Sequence, residues 1–419
     1  MSSLPELTRR PTGTAEVLLD SASLRRAICD SAHRECTHAF RNQLRALIST
    51  GSLARDEASF LRKGNSWAVC GDAEFMIVFE KNAALPAIAT LGEIRRRIEN
   101  DLLQQNIQCK IDLSAVHPSY FPRLPAHIFT YELKNCGQVI WGDDRILQLI
   151  PDWSIEGLSR EDAWRLLSNR MIEQLAFIED LSNTIAELTP RLHYATIKLY
   201  LDMATSYLVF ARAYEPTYRG RAARLRIIAE EASPDGNAPF PLKDFSERVT
   251  KCLAWKLSGG GVSSDLRPEF WQEAITFARL LWGWEVIQMT RASCDLSTSV
   301  LCDRLARQLK FTQKFRGWAS AARRGGGLKT WHHWPRWAWL GLRATPRYLV
   351  YRAGTELVFR LPSLVGIAER PPSLDPDWVK MGLLLPIAES GTVARRSDWQ
   401  VLADKVLRNY REFITSTRT

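Results

Sequence analysis

Along the first third of the chain the apolar residues change period several times, and each change predicts an element. An amphipathic helical stretch starting near Ser23 leads into "RALIST", residues 45–50, expected as a strand that ends on a Gly51-Ser52 turn. "WAVCGDAEFMIVFE", residues 67–80, reads as a buried strand, because Phe75 to Phe79 is continuously apolar and Gly71 precedes it. Leu91, Ile94, Ile98 and Leu102 recur at intervals of three and four, one face of a helix over 91–106. Ile107, Cys109 and Ile111 then alternate with polar residues, a strand over 107–113. Strand, turn, strand, helix, strand is the order of a small α/β sheet.

Beyond Pro151 the period is helical. Ser159 stands as an N-cap with Asp162 three residues on, and Leu167, Met171, Leu175, Ile178, Leu181 and Ile185 repeat behind it. Three further helices are expected near 191–214, 242–257 and 268–292, with loops such as "EEASPDGNAPFP" and "SGGGVSSD" around them. A chain of 419 residues exceeds one ordinary core, at roughly 100 to 200 residues per domain. The expected fold class is therefore α+β: an arm over 1–20, a small mixed-sheet domain over 21–152, a helical bundle over 153–300, and a basic C-terminal helical region over 301–419.

Composition narrows the function classes only a little. With 46% apolar and 24% charged residues the chain belongs with foldable globular proteins. Its longest apolar stretch, residues 199–214, carries Asp202 and Arg212 and reads as a buried helix rather than a membrane span. Arg9-Arg10 is followed by Pro11 and Gly13 where an export signal needs an apolar run, so a cytoplasmic location is expected. Eight cysteines without a Cys-x-x-Cys pair argue against a zinc ribbon and read as buried thiols.

Charge is more informative in its placement than in its total. Of a net +10, twelve cations lie between Arg304 and Arg352 without one acid, leaving the rest of the chain near −2. Trp318, Trp331, Trp334, Trp337 and Trp339 interleave with them. Such a segment suits an anionic membrane surface, with single-stranded nucleic acid a weaker fit and a solvated, packed segment the plain alternative.

The chemistry concentrates on three acids. Asp72 and Glu74 are two apart on a strand and leave the same face; Asp112 is expected at the end of the next strand. About five acid-x-acid pairs arise by chance in a chain of this composition, so the setting carries the signal. Three carboxylates meeting at neighbouring strands repel one another unless cations lie among them, and Mg²⁺ takes such oxygen ligands together with phosphates.

With "GSLARDE", "GDAEF", "KIDLS" and "YELKNCGQVIWGDD" in place, the first 150 residues resemble the nucleotidyltransferase superfamily of polymerase-β-like fold. The resemblance spans about 100 residues and implies, within 131–144, a strand leading to a Gly-acid turn that closes the sheet. It implies that Gly51 and Ser52 hold a nucleoside triphosphate, that Asp72 and Glu74 bind two Mg²⁺ ions, and that Asp112 binds one and helps deprotonate the attacking hydroxyl. It implies a helix-borne lysine at the phosphates, for which Lys198 is the candidate, although Lys198 and Asp202 are spaced for a surface ion pair. The chain departs from the pattern in Asp-x-Glu for Asp-x-Asp, and in Asp56, which adds negative charge after the turn.

The expected activity is transfer of a nucleoside monophosphate to a hydroxyl of an unidentified acceptor, with pyrophosphate leaving. The alternative is a catalytically degenerate relative acting as an adaptor for an anionic membrane, peripheral at its inner surface, or for nucleic acid. Structural acids without a metal are the plain reading of the same residues.

Overall fold

The computed structural model describes residues 20–177, 187–232, 238–259, 266–293, 296–324, 333–364, 376–387 and 398–414. The expected arm lies outside them except for Asp20, as do Ile178, Leu181, Ile185, Lys329 and Trp331.

Asp20 opens helix α1 (Ser21–Phe40) by accepting the backbone N–H of Ser23 at 2.7 Å, an N-cap. Every fourth residue of this helix, Leu24, Ile28, Ala32, Cys36 and Phe40, is buried. Together with Ile94, Ile98 and Leu102 of α3 (Ile88–Gln104), they cover one face of a five-stranded sheet.

The sheet is mixed and centred on β3 (Ser66–Phe79). β4 (Ile107–Val116) runs parallel to β3, and α3 makes the crossover that a parallel pair requires. β2 (Ser59–Lys63) pairs antiparallel with the first part of β3, and β1 (Leu44–Thr50) with the second. β5 (Gln138–Gly142) pairs antiparallel with β1.

Ala73, Phe75, Ile77 and Phe79 of β3 enter the core under α1 and α3. Met76 and Val78 enter a second core on the opposite face, with Ala46, Ile48, Phe121 and Leu133. Cover on both faces explains the continuous apolar run. Glu74 and Asp72 continue the Met76–Val78 face toward the strand's beginning.

One expectation is narrowed here and one corrected. Residues 131–136 belong to a helix, α4 (Ile128–Cys136), that turns Leu133 into the second core and Glu132 into a polar network; only 138–142 form a strand. Asp112 lies within β4 rather than at its end, because Ser114–Val116 still pair with Met76–Val78.

The remaining elements are helical. α5 (Arg160–Glu173) starts at Ser159, whose Oγ accepts from Asp162 N at 3.3 Å. α6 (Pro190–Phe210) is buried along most of its length. α7 (Tyr218–Glu231), which the periodicity did not predict, is capped by Thr217. α8 (Leu242–Leu257) and α9 (Pro268–Thr290) follow. α10 (Thr298–Arg307), α11 (Phe311–Arg324), α12 (Trp334–Gly341), α13 (Pro346–Leu364), α14 (Pro376–Leu384) and α15 (Asp398–Phe413) complete the chain. One apolar cluster runs through these helices as far as Ile414.

The tryptophans of the basic segment divide into two sets. Trp318 and Trp337 are buried and donate their indole N–H groups to the carbonyls of Ala344 and Pro386, whereas Trp334 and Trp339 are exposed. Among the described residues no helix is long and apolar enough to cross a membrane.

Candidate functional site

Strand register aligns the predicted residues. Thr50, the last residue of β1, lies opposite Glu74 on β3, and Glu74 lies opposite Asp112 on β4. Turn and two acids thus form a row across three adjacent strands. Asp72 is two residues before Glu74 on the same face, just after the β3–β4 register shifts at Gly71, whose φ of +119° favours glycine.

Gly51 is fixed by two requirements. Its φ is +64°, and a Cβ there would lie 2.7 Å from Oε2 of Glu74. The missing side chain therefore makes room for a carboxylate, which also accepts from Thr50 Oγ1 at 3.3 Å. Ser52, half-buried, follows in α2 (Gly51–Ala54). That helix is a single turn, so its terminus contributes a few N–H groups and little macrodipole.

The Glu74 carboxyl is held above its ordinary range, first by desolvation and then by the negative charge of Asp112; Arg55 and the Thr50 hydrogen bond act the other way. Asp56 adds little here. It is exposed, with φ +57°, and its carboxylate lies 3.7 Å from Arg25 on α1.

The bundle packs against the sheet beside these residues. Tyr194 of α6 donates its hydroxyl to the carbonyl of Cys70 at 2.5 Å, which seats the helix on β3 just before Asp72. One turn on, Lys198 stands with Nζ 5.9 Å from the centre of the Tyr194 ring. The expected pair with Asp202 does not form: Asp202 is buried and accepts from Arg170 Nε at 2.6 Å. Lys198 has no ion pair within 4.0 Å among the described residues. Its pKa is lowered, chiefly by the Arg170 cation and then by burial, while Asp202, Glu173 and Asp72 pull it upward.

A second lysine escaped sequence reasoning. Lys256 of α8 is 4% exposed, lies 3.3 Å from Ser59 Oγ, and stands over the rings of Tyr194 and Tyr218. Burial, then the charges of Lys198 and Arg55, push it down to about 8. Its one sequence signal is a cation inside the apolar run "CLAWKL".

Around these residues a polar network ties turn to bundle. Glu57, fully buried, accepts from the backbone N–H groups of Tyr218 and Arg219 at 2.9 and 2.8 Å, at the start of α7. An acid after the turn thus holds sheet and bundle together. Arg55 lies 3.4 Å from Glu57 and bonds Glu132, which also receives Arg221 and, at 2.5 Å, the hydroxyl of Tyr214.

Thr50, Gly51, Arg55, Glu74 and Glu132 line a shared cavity of about 40 Å³. A larger one, about 240 Å³, lies among Arg165, Gln313, Tyr348 and Glu412 and shares no residue with the acids.

Asp72, Glu74 and Asp112 suit a hard divalent cation in donor type and in placement on neighbouring strands, and the Glu74–Asp112 repulsion is what such a cation relieves. They are not gathered into a cage. Among the described residues no three His, Cys, Asp or Glu side chains stand close enough to hold a metal, and Glu74 is turned onto Thr50 and over Gly51.

Comparison with family models, with curated proteins and with solved structures finds no match for this chain.

Proposed function

We propose that the chain transfers a nucleoside monophosphate from a nucleoside triphosphate to a hydroxyl of an acceptor and releases pyrophosphate. The observation that carries this reading is the row of turn, Glu74 and Asp112 across three strands, with Asp72 beside it and the unpaired Lys198 opposite. Mg²⁺ held by Asp72, Glu74 and Asp112 would neutralise phosphate charge and lower the pKa of the acceptor hydroxyl.

The backbone N–H groups of the turn donate to phosphate oxygens, and Ser52 adds its hydroxyl. Lys198 and Lys256 oppose the triphosphate charge from the bundle side. Asp112 accepts the acceptor's proton. The freed oxygen attacks the α-phosphorus, and the bond to the bridging oxygen breaks, with its electron pair leaving on pyrophosphate.

Pyrophosphate release by the full chain with Mg²⁺ and each of the common triphosphates tests the reading. Asp72→Ala and Glu74→Ala should each lower it at least about a thousandfold in folded protein. Wild-type-like turnover in both would remove the assignment.

A second reading, a degenerate relative that binds anions without chemistry, draws on the Glu74 carboxylate's contact with Thr50 rather than with its acidic neighbours. Its signature is triphosphate binding that is indifferent to chelators and yields no pyrophosphate. Mass spectrometry of lysate incubated with the active enzyme and a labelled triphosphate identifies the acceptor.

A further inference from the structure

The apolar stripe of α11 is covered over only half its length. Phe311, Phe315 and Trp318 follow one another at intervals of four and three, so they share one side of the helix. Trp318 and Ala321 are packed inward, and Gly317 sits against Thr345 at the start of α13. Phe311 and Phe315 on the same stripe are 72% and 66% exposed. Beside them is Leu342, 73% exposed, whose carbonyl accepts from Lys314 Nζ at 3.3 Å. Trp339, one turn before Leu342, is also exposed and carries the Arg343 guanidinium 3.9 Å from its ring centre.

Cations surround these apolar tips. Lys310, Arg316 and Arg343 are exposed, and no acid occurs from residue 304 to 355 to offset them. Glu412, beside Gln313 and Gly317, is an exposed acid at the far side of α11, and the side that carries Phe311 and Phe315 is flanked by Lys310, Lys314 and Arg316. Long basic side chains keep their charges outward while aromatic and aliphatic tips sink, the arrangement that suits an interface with negative headgroups above hydrocarbon.

We propose that the exposed ends of α11 and α12, with Phe311, Phe315, Trp339 and Leu342 as apolar anchors, dock the protein on an anionic lipid bilayer. This surface shares no residue with the acid-lined cleft, so the proposal stands or falls apart from the activity above.

Vesicle flotation of the full chain tests it. Wild type should float with phosphatidylcholine vesicles containing about one third phosphatidylglycerol, not with pure phosphatidylcholine, and should release as salt rises. Phe311→Ser with Phe315→Ser, which touches only exposed side chains, should weaken binding about tenfold or more at unchanged melting temperature. Lys310→Ser with Arg316→Ser should weaken it several-fold and flatten the salt dependence. The proposal is overturned if wild type ignores anionic vesicles, binds both kinds equally, or keeps its affinity when both phenylalanines are replaced. Preference for single-stranded RNA over anionic vesicles in direct competition would also overturn it.

Discussion

The molecule carries two groups of cations, and they differ in almost everything except charge. Arg55, Lys198, Arg221 and Lys256 come from four distant segments and are largely enclosed, each fixed among acids, rings or one another. Lys310, Arg316 and Arg343 come from one stretch and stand in solvent; Arg352, at the end of that stretch, is instead tied to Asp303 and Glu356. An exposed cation contributes about 1 kcal/mol or less and is screened by salt. A buried one must be held by partners, and its loss or theirs is felt in full. Position in the solvent gradient, rather than the count of basic residues, decides which group can orient a ligand and which can only attract one.

Breaking the buried group should have the largest effect. Glu132→Ala leaves Arg221, 2% exposed, and Arg55 without their shared acid, and should cost about 3–5 kcal/mol in urea unfolding. Arg316→Ser, in the exposed group, should stay within about 0.5 kcal/mol. Equal losses for the two variants would erase the contrast.

The sequence exposed the sheet side of the cleft far better than the bundle side. Asp72, Glu74 and Asp112 lie on two strands joined by one helix, so period and spacing suffice to place them on neighbouring strands, though not to set where their carboxylates turn. Lys198 could be singled out only by resemblance. Its surroundings could not, because the contacts that seat α6 and α8 on the sheet join residues 124 and 197 positions apart: Tyr194 with Cys70, and Lys256 with Ser59. The helix at 131–136 was missed for a related reason. Its inward residues, Glu132 and Leu133, face an arginine network and an apolar core that no local pattern reveals. In the basic segment, spacing alone could not separate buried Trp318 and Trp337 from exposed Trp334 and Trp339.

Lys198→Met sharpens the comparison within the cleft. In the proposed transfer a positioned cation on the phosphate is worth about 10²- to 10³-fold, so kcat/KM for that reaction should fall by that factor. Stability should hold or rise, since the substitution removes a charge that Arg170 and burial both disfavour. Lys314→Met, outside the cleft, should leave kcat/KM unchanged. A Lys198→Met variant with normal kcat/KM would assign the lysine to packing alone.

The smallest effect is a pH dependence that only the enclosed group can produce. Lys256 has its pKa pushed below the ordinary 10.5 to about 8, so between those values the unfolded chain holds a proton that the folded one has lost. Stability from this residue therefore rises with pH across that window. Glu285, buried against Ser206 and raised from 4.5 to about 8, acts in the opposite sense below it, destabilising as pH climbs toward 8. Affinity for the proposed triphosphate separates the two, because Glu285 lies inside the bundle against Ser206 and Lys256 meets the sheet at Ser59. A bound polyanion favours the charged lysine and raises its pKa, so affinity should be flat below about 8 and fall by up to about tenfold per pH unit above it. Isothermal titration from pH 7 to 9.5 measures this, and Lys256→Gln should flatten the curve while Glu285→Gln and Lys314→Gln leave it in place. A decline that survives Lys256→Gln would place the titrating group elsewhere and remove Lys256 from the proposed phosphate contacts.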